Sequence, residues 1–200
     1  MSEIRFYFDF GSPNAYLSHR LLPDIAQRTG ASLRYVPILL GGLFKMTGNQ
    51  SPVQAFGNIK NKLAYEQLES RRFIQRHGIT EFRMNPHFPV NTLHIMRGAV
   101  AAETLGVAPA YIDSVYKDMW ERERKMDDPD VIRSALQEAG LDADEIIRLT
   151  QTDDIKATLL ANTQEAFDAG AFGSPSFTVE GELYFGKDRL RDVEEQARAG

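Results

Sequence analysis

Gly11-Ser12-Pro13-Asn14-Ala15-Tyr16-Leu17 joins the first predicted strand to the first predicted helix, and the rest of the fold prediction is built around this stretch. Ser12 occupies the expected N-cap, and Pro13 the first helical position, where a missing N–H leaves no helical hydrogen bond unmade. A helix N-terminus presents unpaired backbone N–H groups and the positive end of the helix dipole. The stretch therefore predicts a hydroxyl held at a place that favours an anion.

The residues around this stretch predict a strand, a helix and a second strand. Large apolar side chains alternate along residues 4–10, which is typical of a strand. The spacing predicts a helix over residues 13–29, kinked at Pro23, and a strand over residues 32–39. The strands of such a βαβ unit are parallel, and open α/β sheets bind ligands at the carboxyl ends of their strands. That edge is where Ser12 lies.

The middle of the chain differs in character from its two ends. Residues 43–170 carry several helical patterns, the clearest after Pro109, and no convincing strand. Residues 171–200 return to strand chemistry, with a hairpin over residues 176–185 and a final helix. A βαβ unit, a helical block and a ββα unit together form the layout of the thioredoxin fold. We therefore predict an α/β protein whose discontinuous thioredoxin-like domain, residues 1–42 and 171–200, is interrupted by an all-helical domain over 43–170.

The composition excludes several classes of function. The 200 residues are 42% hydrophobic and 26% charged, as in an ordinary globular protein. The net charge of −5 gives no electrostatic footprint for nucleic acid, and no basic amphipathic segment marks a membrane surface. Without a leader pattern or an apolar run near the ~20 residues of a membrane span, we expect a cytoplasmic protein. The chain lacks cysteine, and its four histidines do not cluster with carboxylates, so we expect no metal site.

Two segments lie opposite each other if the predicted fold is right. The first helix of a thioredoxin fold begins with a reactive cysteine pair, and the corresponding positions here read Ser12-Pro13-Asn14-Ala15. The fold also has a cis-proline facing the helix start, so we predict a cis Ser174-Pro175 bond; the alternative is a trans proline that opens a strand. Because the chain lacks cysteine, any reactive sulfur must come from a ligand.

Six sequence blocks, in register across nearly the full length, carry a family resemblance. They are Phe8-Asp9-Phe10-Gly11-Ser12-Pro13 with Tyr16-Leu17, Leu40-Gly41-Gly42-Leu43-Phe44-Lys45, Gly48-Asn49, Pro86-His87-Phe88-Pro89-Val90-Asn91, Gly173-Ser174-Pro175-Ser176-Phe177 and Phe185-Gly186-Lys187-Asp188-Arg189-Leu190. On these blocks the chain resembles the 2-hydroxychromene-2-carboxylate isomerases and kappa-class glutathione transferases, which belong to the DsbA-type superfamily.

The resemblance implies a glutathione site. The Ser12 hydroxyl would hydrogen-bond the glutathione sulfur, and the main chain of Ser174, before Pro175, would pair with the tripeptide backbone. Asp188 and Arg189 would hold the γ-glutamyl end. The resemblance also implies a homodimer and a role in the degradation of aromatic compounds.

Further residues complete the implied cofactor site. Lys187 joins it from the Gly-Lys-Asp-Arg turn, although it is not the residue most expected there, and Asn49 is expected to orient glutathione or substrate. Simpler structural roles exist for two of the site residues. Ser12 could act as an N-cap alone, and Asp188 could cap the last helix.

The aromatic residues of the predicted loops indicate where a substrate would bind. Phe44, Phe56 and Phe88 are expected to overhang the helix start and form an apolar wall for an aromatic substrate. Lys45 and Lys62 are candidates to bind a substrate carboxylate. For Lys62 the alternative is a solvated helix face.

The chemistry of a thiol explains why a serine would be useful at this helix start. A free thiol has a pKa of about 8.5, and lowering it by one unit takes about 1.4 kcal/mol. A charge-assisted hydrogen bond supplies roughly 1.5 to 3 kcal/mol and the helix end roughly 0.3 to 1 kcal/mol. Ser12 is therefore predicted to stabilise a thiolate in a glutathione-dependent isomerase of an aromatic α-keto acid. The alternatives are a conjugating transferase and a non-catalytic module that binds glutathione or peptide.

Overall fold

A computed structural model describes residues 2–200 and contains a mixed four-stranded sheet. The strands are β1 (Glu3–Phe8), β2 (Ser32–Pro37), β3 (Ser176–Val179) and β4 (Glu182–Phe185), in the order β2-β1-β3-β4. β1 is parallel to β2, antiparallel pairs join β1 to β3 and β3 to β4, and the two ends of the chain thereby share one sheet. This is the predicted thioredoxin-like arrangement.

Helices account for most of the remaining chain. They are α1 (Pro13–His19), α2 (Leu22–Thr29), α3 (Leu40–Thr47), α4 (Pro52–Phe56), α5 (Lys62–His77), α6 (Leu93–Thr104), α7 (Ala108–Trp120), α8 (Pro129–Glu138), α9 (Ala143–Leu149), α10 (Asp153–Asp168) and α11 (Leu190–Ala199). A single turn of 3-10 helix, Lys187–Arg189, precedes α11. From α3 to α10 every regular element is a helix, as the sequence predicted, and a long loop over residues 78–92 separates α5 from α6.

The predicted helix over residues 13–29 is in fact two helices. α1 ends at His19 and α2 begins at Leu22, with Pro23 in its first turn. Proline has no N–H to donate to the carbonyl four residues earlier, which here belongs to His19. The chain therefore breaks before Pro23, where the sequence predicted only a kink.

The sheet is covered on both faces. Alternation along β1 directs Ile4, Phe6 and Phe8 into the main core, while Tyr7 faces a smaller core shared with Leu43 of α3. All five side chains are almost fully inaccessible to water. The main core continues without interruption into α6, α7 and α8 of the helical region.

α7 joins the helical region to the end of β1. Its predicted apolar stripe is buried, including Tyr116 and Trp120. The Trp120 Nε1–H donates to the carbonyl of Phe10 at 2.8 Å. The helical region therefore packs directly behind the turn that carries Ser12. Within residues 2–200, no helix combines the length and apolar character needed to cross a membrane.

Candidate functional site

Ser12 links the start of α1 to the loop before β3. It is the N-cap of α1, with its Oγ accepting the Ala15 N–H at 3.2 Å. The same hydroxyl donates its proton to the Ser174 carbonyl at 2.8 Å. Ser12 is only 6% exposed. Its predicted place at the helix start is confirmed, and the oxygen is already part of a polar contact between two separate segments.

The Ser174-Pro175 bond is cis, as predicted. The Ser174 Oγ accepts the Asp9 N–H at 3.2 Å, so side chain and carbonyl of Ser174 both contact the end of β1 and the turn after it. The Pro175 carbonyl accepts the Gly186 N–H at 3.0 Å, which connects this loop to the turn before α11. A second cis bond, Phe88-Pro89, was not predicted.

The turn Lys187–Arg189 packs against α1 and completes a three-sided arrangement. Lys187 is 4% exposed, and its Nζ lies 2.8 and 2.9 Å from the two carboxylate oxygens of Asp188. The ammonium also lies 5.0 Å from the centre of the Phe73 ring, which favours a cation. Lys187 lies beneath the exposed Asp188 and holds that carboxylate in place. Its part in binding the cofactor stays a prediction.

The N-terminus of α11 shows whether Asp188 caps the last helix, which was the alternative role for this residue. α11 has Arg189 at its N-cap and no side-chain hydrogen bond there. Asp188 therefore does not cap the last helix. Arg189 is exposed, with its guanidinium 3.5 Å from Asp192, so both predicted γ-glutamyl contacts lie on the surface beside α1.

Asn49 ties two loops together. Its Nδ2 donates to the Phe172 carbonyl at 2.7 Å, and its Oδ1 accepts the Gln50 N–H at 2.8 Å. Both ends of the amide are thus bonded within the chain, although the sequence predicted that it would orient a ligand. Its position joins the end of α3 to the segment that leads into Ser174.

Two aromatic rings beside this loop were not anticipated from the sequence. Phe172 and Phe185 lie with ring centres 4.4 Å apart, and each is 42% exposed. A Cβ atom at Gly173 would lie 2.8 Å from the Phe185 ring, so glycine is what allows this close approach. The signal in the sequence was that Gly173 follows Phe172. This signal does not predict the contact unless the hairpin that brings Phe185 alongside is already known.

The predicted substrate residues fall into two groups. Phe44 and Lys45 lie on α3, with Lys45 exposed and in no ion pair with the rest of residues 2–200. Lys62 contacts Glu66 at 3.2 Å and lies 4.4 Å from the centre of the Phe56 ring. Lys62 is therefore half-buried and partnered within the chain, and its role in binding a substrate carboxylate stays a prediction.

Phe88 packs within the helical region. It is 36% exposed, with its ring centre 6.1 Å from that of Trp120. Because Trp120 in turn hydrogen-bonds to Phe10, the Trp120 side chain connects Phe88 to the turn that carries Ser12. The structure thus joins Ser12, Ser174 and Pro175 directly and leaves Lys62 outside that group.

Asp9 is a site residue that the sequence analysis did not single out. Its Oδ1 accepts the Gly11 N–H at 2.9 Å and its Oδ2 accepts the Leu40 N–H at 2.8 Å. Burial raises the pKa of the Asp9 carboxyl, and these two N–H groups partly oppose that rise. An acidic residue between two buried phenylalanines at a strand end was the available signal.

A cavity of about 710 Å³ lies at the other end of α1, between β2, α6 and α7. His19, Tyr35 and Asp113 are among the polar residues that line it. Its size suits a small ligand, but none of the residues joined to Ser12 lines it. We assign the candidate site to the side of the fold that carries Ser12. The start of α1, the Ser174 carbonyl before the cis-proline and the turn Lys187–Arg189 meet there. In the described part of the chain, no three His, Cys, Asp or Glu side chains are grouped to hold a metal ion.

The fold and this arrangement define the class of protein. The profile of the DSBA-like thioredoxin domain family matches residues 3–198. The chain belongs to this family, and it has a serine at the start of α1.

Individual relatives are more specific. The chain is 28% identical over 193 residues to a 2-hydroxychromene-2-carboxylate isomerase of Sphingobium xenophagum, covering 96% of this chain and 95% of that protein. It is 26% identical to glutathione S-transferase kappa 1 of Rattus norvegicus, over 94% of this chain and 87% of the relative. A solved 2-hydroxychromene-2-carboxylate isomerase structure superposes with a TM-score of 0.80 at 26% identity, over 96% of this chain and 93% of the other. The resemblance inferred from the six sequence blocks is confirmed.

Proposed function

We propose that this protein is a glutathione-dependent isomerase acting on an aromatic α-keto acid of the 2-hydroxychromene-2-carboxylate type. The observation that carries the proposal is the buried Ser12 hydroxyl at the start of α1, next to the Ser174 carbonyl, in a chain without cysteine. Similarity to isomerases and to a kappa transferase along almost the whole chain supports it.

The residues around Ser12 have the chemistry that glutathione requires. A tripeptide thiol needs a hydrogen-bond donor for its sulfur, backbone partners and a charged contact for its zwitterionic end. Ser12 can supply the donor, the main chain of Ser174 the backbone partner, and Asp188 with Arg189 the charges. Serine and the helix end together favour the anionic form of the sulfur by an amount that corresponds to about one or two pKa units.

The protein's own groups have separate parts in the proposed reaction. Glutathione, when bound, supplies a nucleophilic sulfur that adds reversibly to a conjugated carbon, allows rotation about the former double bond, and is returned unchanged. Ser12 turns its proton from the Ser174 carbonyl to the sulfur and so stabilises its negative charge. Lys45 binds the substrate carboxylate or neutralises charge that develops on the keto oxygen. The aromatic residues Phe44 and Phe88 bind the ring of the substrate.

A conjugating transferase is the second candidate, favoured by the similarity to the rat kappa enzyme. Its use of Ser12 would be the same, but glutathione would leave as part of the product. The two candidates therefore differ in whether free thiol is conserved.

The test is to incubate the protein with trans-o-hydroxybenzylidenepyruvate, with and without glutathione, and to follow the absorption spectrum and the free thiol together. Glutathione-dependent interconversion with thiol conserved is the expected result. Consumption of thiol would replace the isomerase with the transferase. Glutathione binding without turnover would favour the binding module, and no binding at all would contradict the proposal.

Three further features are part of the proposal. They are a homodimer, a cytoplasmic location with a role in aromatic degradation, and the division into residues 1–42 with 171–200 and residues 43–170. Each stays a prediction based on the family resemblance or on the sequence pattern.

A further inference from the structure

The carboxyl group of Asp9 is buried and takes part in none of the proposed steps. It is 1% exposed, yet both of its oxygens accept backbone N–H groups from separate segments, Gly11 in the turn before α1 and Leu40 in the first turn of α3. Desolvation of a carboxylate is costly unless hydrogen bonds compensate for the lost water. A buried carboxyl group in this position, with two backbone donors arranged around it, indicates a specific task.

The main chain of Asp9 contacts two more segments. Its carbonyl accepts the Ser12 N–H at 3.0 Å, and its N–H donates to the Ser174 Oγ at 3.2 Å. Asp9 therefore joins the Ser12 turn, the start of α3 and the cis-proline loop. The bonds to Gly11 and Leu40 depend on the side chain, as does a contact with the Thr92 side chain. The other two use backbone atoms that every substitution except proline retains.

The packing leaves this junction little freedom to adjust. A Cβ atom at Gly11 would lie 3.1 Å from the Thr92 methyl group and 3.3 Å from the Asp9 Oδ1. The turn is therefore pressed between the carboxylate and the helical region. A displacement of the carboxylate is transmitted to the turn, since closely packed groups have no void to absorb it.

We propose that Asp9 is a positioning residue whose carboxylate fixes the Ser12 turn against the first turn of α3. The hydroxyl of Ser12 and the side chain of Lys45, which is carried on α3, are thereby presented to the same substrate. This inference rests on the proposed function for its catalytic consequence, but its geometric part can be tested without any ligand. A misplacement of about 1 Å in such an arrangement can lower a rate by roughly a hundredfold.

The chain offers a matched control at the same end of α3. The Thr163 Oγ1, on α10, accepts the Leu39 N–H at 3.0 Å. Thr163→Val removes this hydrogen bond, keeps the shape of the side chain and leaves the Ser12 turn untouched. A loss that comes merely from weakening the start of α3 would appear in this variant as well.

A second variant removes the donor of the hydrogen bond between the Leu40 N–H and the Asp9 Oδ2. Leu40 is the first residue of α3, a position that tolerates proline, and Leu39 before it already has the extended backbone that a following proline requires. Leu40→Pro therefore deletes the N–H that binds Asp9 Oδ2 while the carboxylate stays. It also keeps the inference testable if Asp9→Asn does not fold.

The experiment compares wild type, Asp9→Asn, Leu40→Pro and Thr163→Val by crystal structure, by calorimetric affinity for glutathione, and by kcat with trans-o-hydroxybenzylidenepyruvate. In Asp9→Asn and Leu40→Pro we expect α3 to shift relative to Ser12 and kcat to fall roughly a hundredfold. The Kd for glutathione should stay within about threefold, because the backbone contacts of residue 9 are retained. Thr163→Val should match the wild type in geometry and kcat.

The outcomes are distinct. An unchanged position of α3 relative to Ser12 in Asp9→Asn and Leu40→Pro overturns the inference, and so does a shift that leaves kcat unaltered in an active enzyme. An equal loss of kcat in Thr163→Val also overturns it. If the wild type neither binds glutathione nor isomerises the substrate, the proposed function fails, and the relative positions of α3 and Ser12 alone then confirm or refute the positioning by Asp9.

Discussion

Ser12 has one proton, and this limits what its hydroxyl can do at any moment. In the structure the proton goes to the Ser174 carbonyl, while the oxygen accepts the Ala15 N–H. A sulfur anion needs the same proton. Binding of the proposed cofactor must therefore exchange the Ser12–Ser174 hydrogen bond for a new one, and the helix cap persists through that exchange because it uses a lone pair.

The two roles of Ser12 predict two separable losses in Ser12→Ala. Loss of the charge-assisted hydrogen bond to the sulfur, worth roughly 1.5 to 3 kcal/mol, should lower the isomerisation rate by roughly ten- to a hundredfold. Loss of the cap should reduce the free energy of unfolding by about 1 kcal/mol. The measurements are initial rates at saturating glutathione and urea unfolding of the free protein.

Asp128→Ala is the matched control for this substitution. Asp128 caps α8, accepts the Asp130 N–H at 3.0 Å, and is followed by a proline just as Ser12 is. It should lose similar stability with no change in rate. A Ser12→Ala variant with the wild-type rate would limit Ser12 to the role of an N-cap.

The structural positions of candidate site residues with a local signal could be predicted, whereas contacts made with distant partners could not. Ser12 and Ser174-Pro175 could be found because a helix start and a strand start mark them in the sequence. The burial of Lys187 under Asp188 depends on Phe73, which is more than a hundred residues away in the chain. The Asn49 contact with the Phe172 carbonyl is of the same kind.

At the scale of elements, the Asp113 carboxylate connects α7 to α1. The Asp113 carboxylate on α7 lies 3.8 Å from the His19 Nε2 on α1 and 2.7 Å from the Lys117 Nζ. The nearby His19 ring, followed by the hydrogen bond from Lys117, lowers the pKa of Asp113 to about 2. His19 in turn lies 2.8 Å from the Tyr35 hydroxyl of β2, so this contact joins three elements around the cavity at the end of α1.

This lowered pKa predicts a pH dependence with a definite sign. A carboxyl whose pKa is lower in the folded state stabilises the fold above its unfolded pKa of about 4, and loses that effect as the pH falls towards about 2. Because Asp113 is half exposed, water screens the interaction and the contribution is about 1 kcal/mol or less. The free energy of unfolding of wild type should exceed that of Asp113→Asn near neutral pH.

The measurement is urea unfolding of both proteins at a series of pH values. The difference between them should shrink between about pH 4 and pH 2 and vanish at the lower end. Asp153→Asn serves as a control, since Asp153 is almost fully exposed and bonds only within its own helix. A constant difference across this pH range would show that the Asp113 charge does not couple α1 to α7.

Most elements could be predicted because the apolar period identifies them, but the break between α1 and α2 could not. Apolar residues continue at helical spacing through residues 20–22, so the pattern alone favours one helix. The clearest predicted stripe, on α7, is buried as expected, since all five of its residues are almost inaccessible to water: Ile112, Val115, Tyr116, Met119 and Trp120. Periodicity therefore indicated which faces are buried better than where the helices end.

At the scale of the whole molecule, the helical region shares its core with the sheet. Phe6 and Phe8 of β1 belong to the same buried cluster as Val115 of α7 and Ala135 of α8. The Trp120 Nε1–H bond to Phe10 crosses the same boundary. The sequence could locate the change from strand to helical chemistry near residues 43 and 170, but it could not show that the two parts share one buried cluster.

A shared core predicts that the two parts unfold in one cooperative transition, because neither can lose its packing without exposing the apolar surface of the other. The absence of native cysteine permits a clean test with single thiols. Val179→Cys places one in β3 and Ala135→Cys places another in α8, both at positions that are almost fully buried. Labelling of each thiol at increasing urea measures the free energy at which that site opens.

The free energies of opening at the two sites should agree with each other and with the free energy of unfolding followed by fluorescence of Trp120, the single tryptophan. A lower opening energy at position 135 than at position 179 would mean that residues 43–170 unfold first, and would contradict a core shared between the helical region and the sheet.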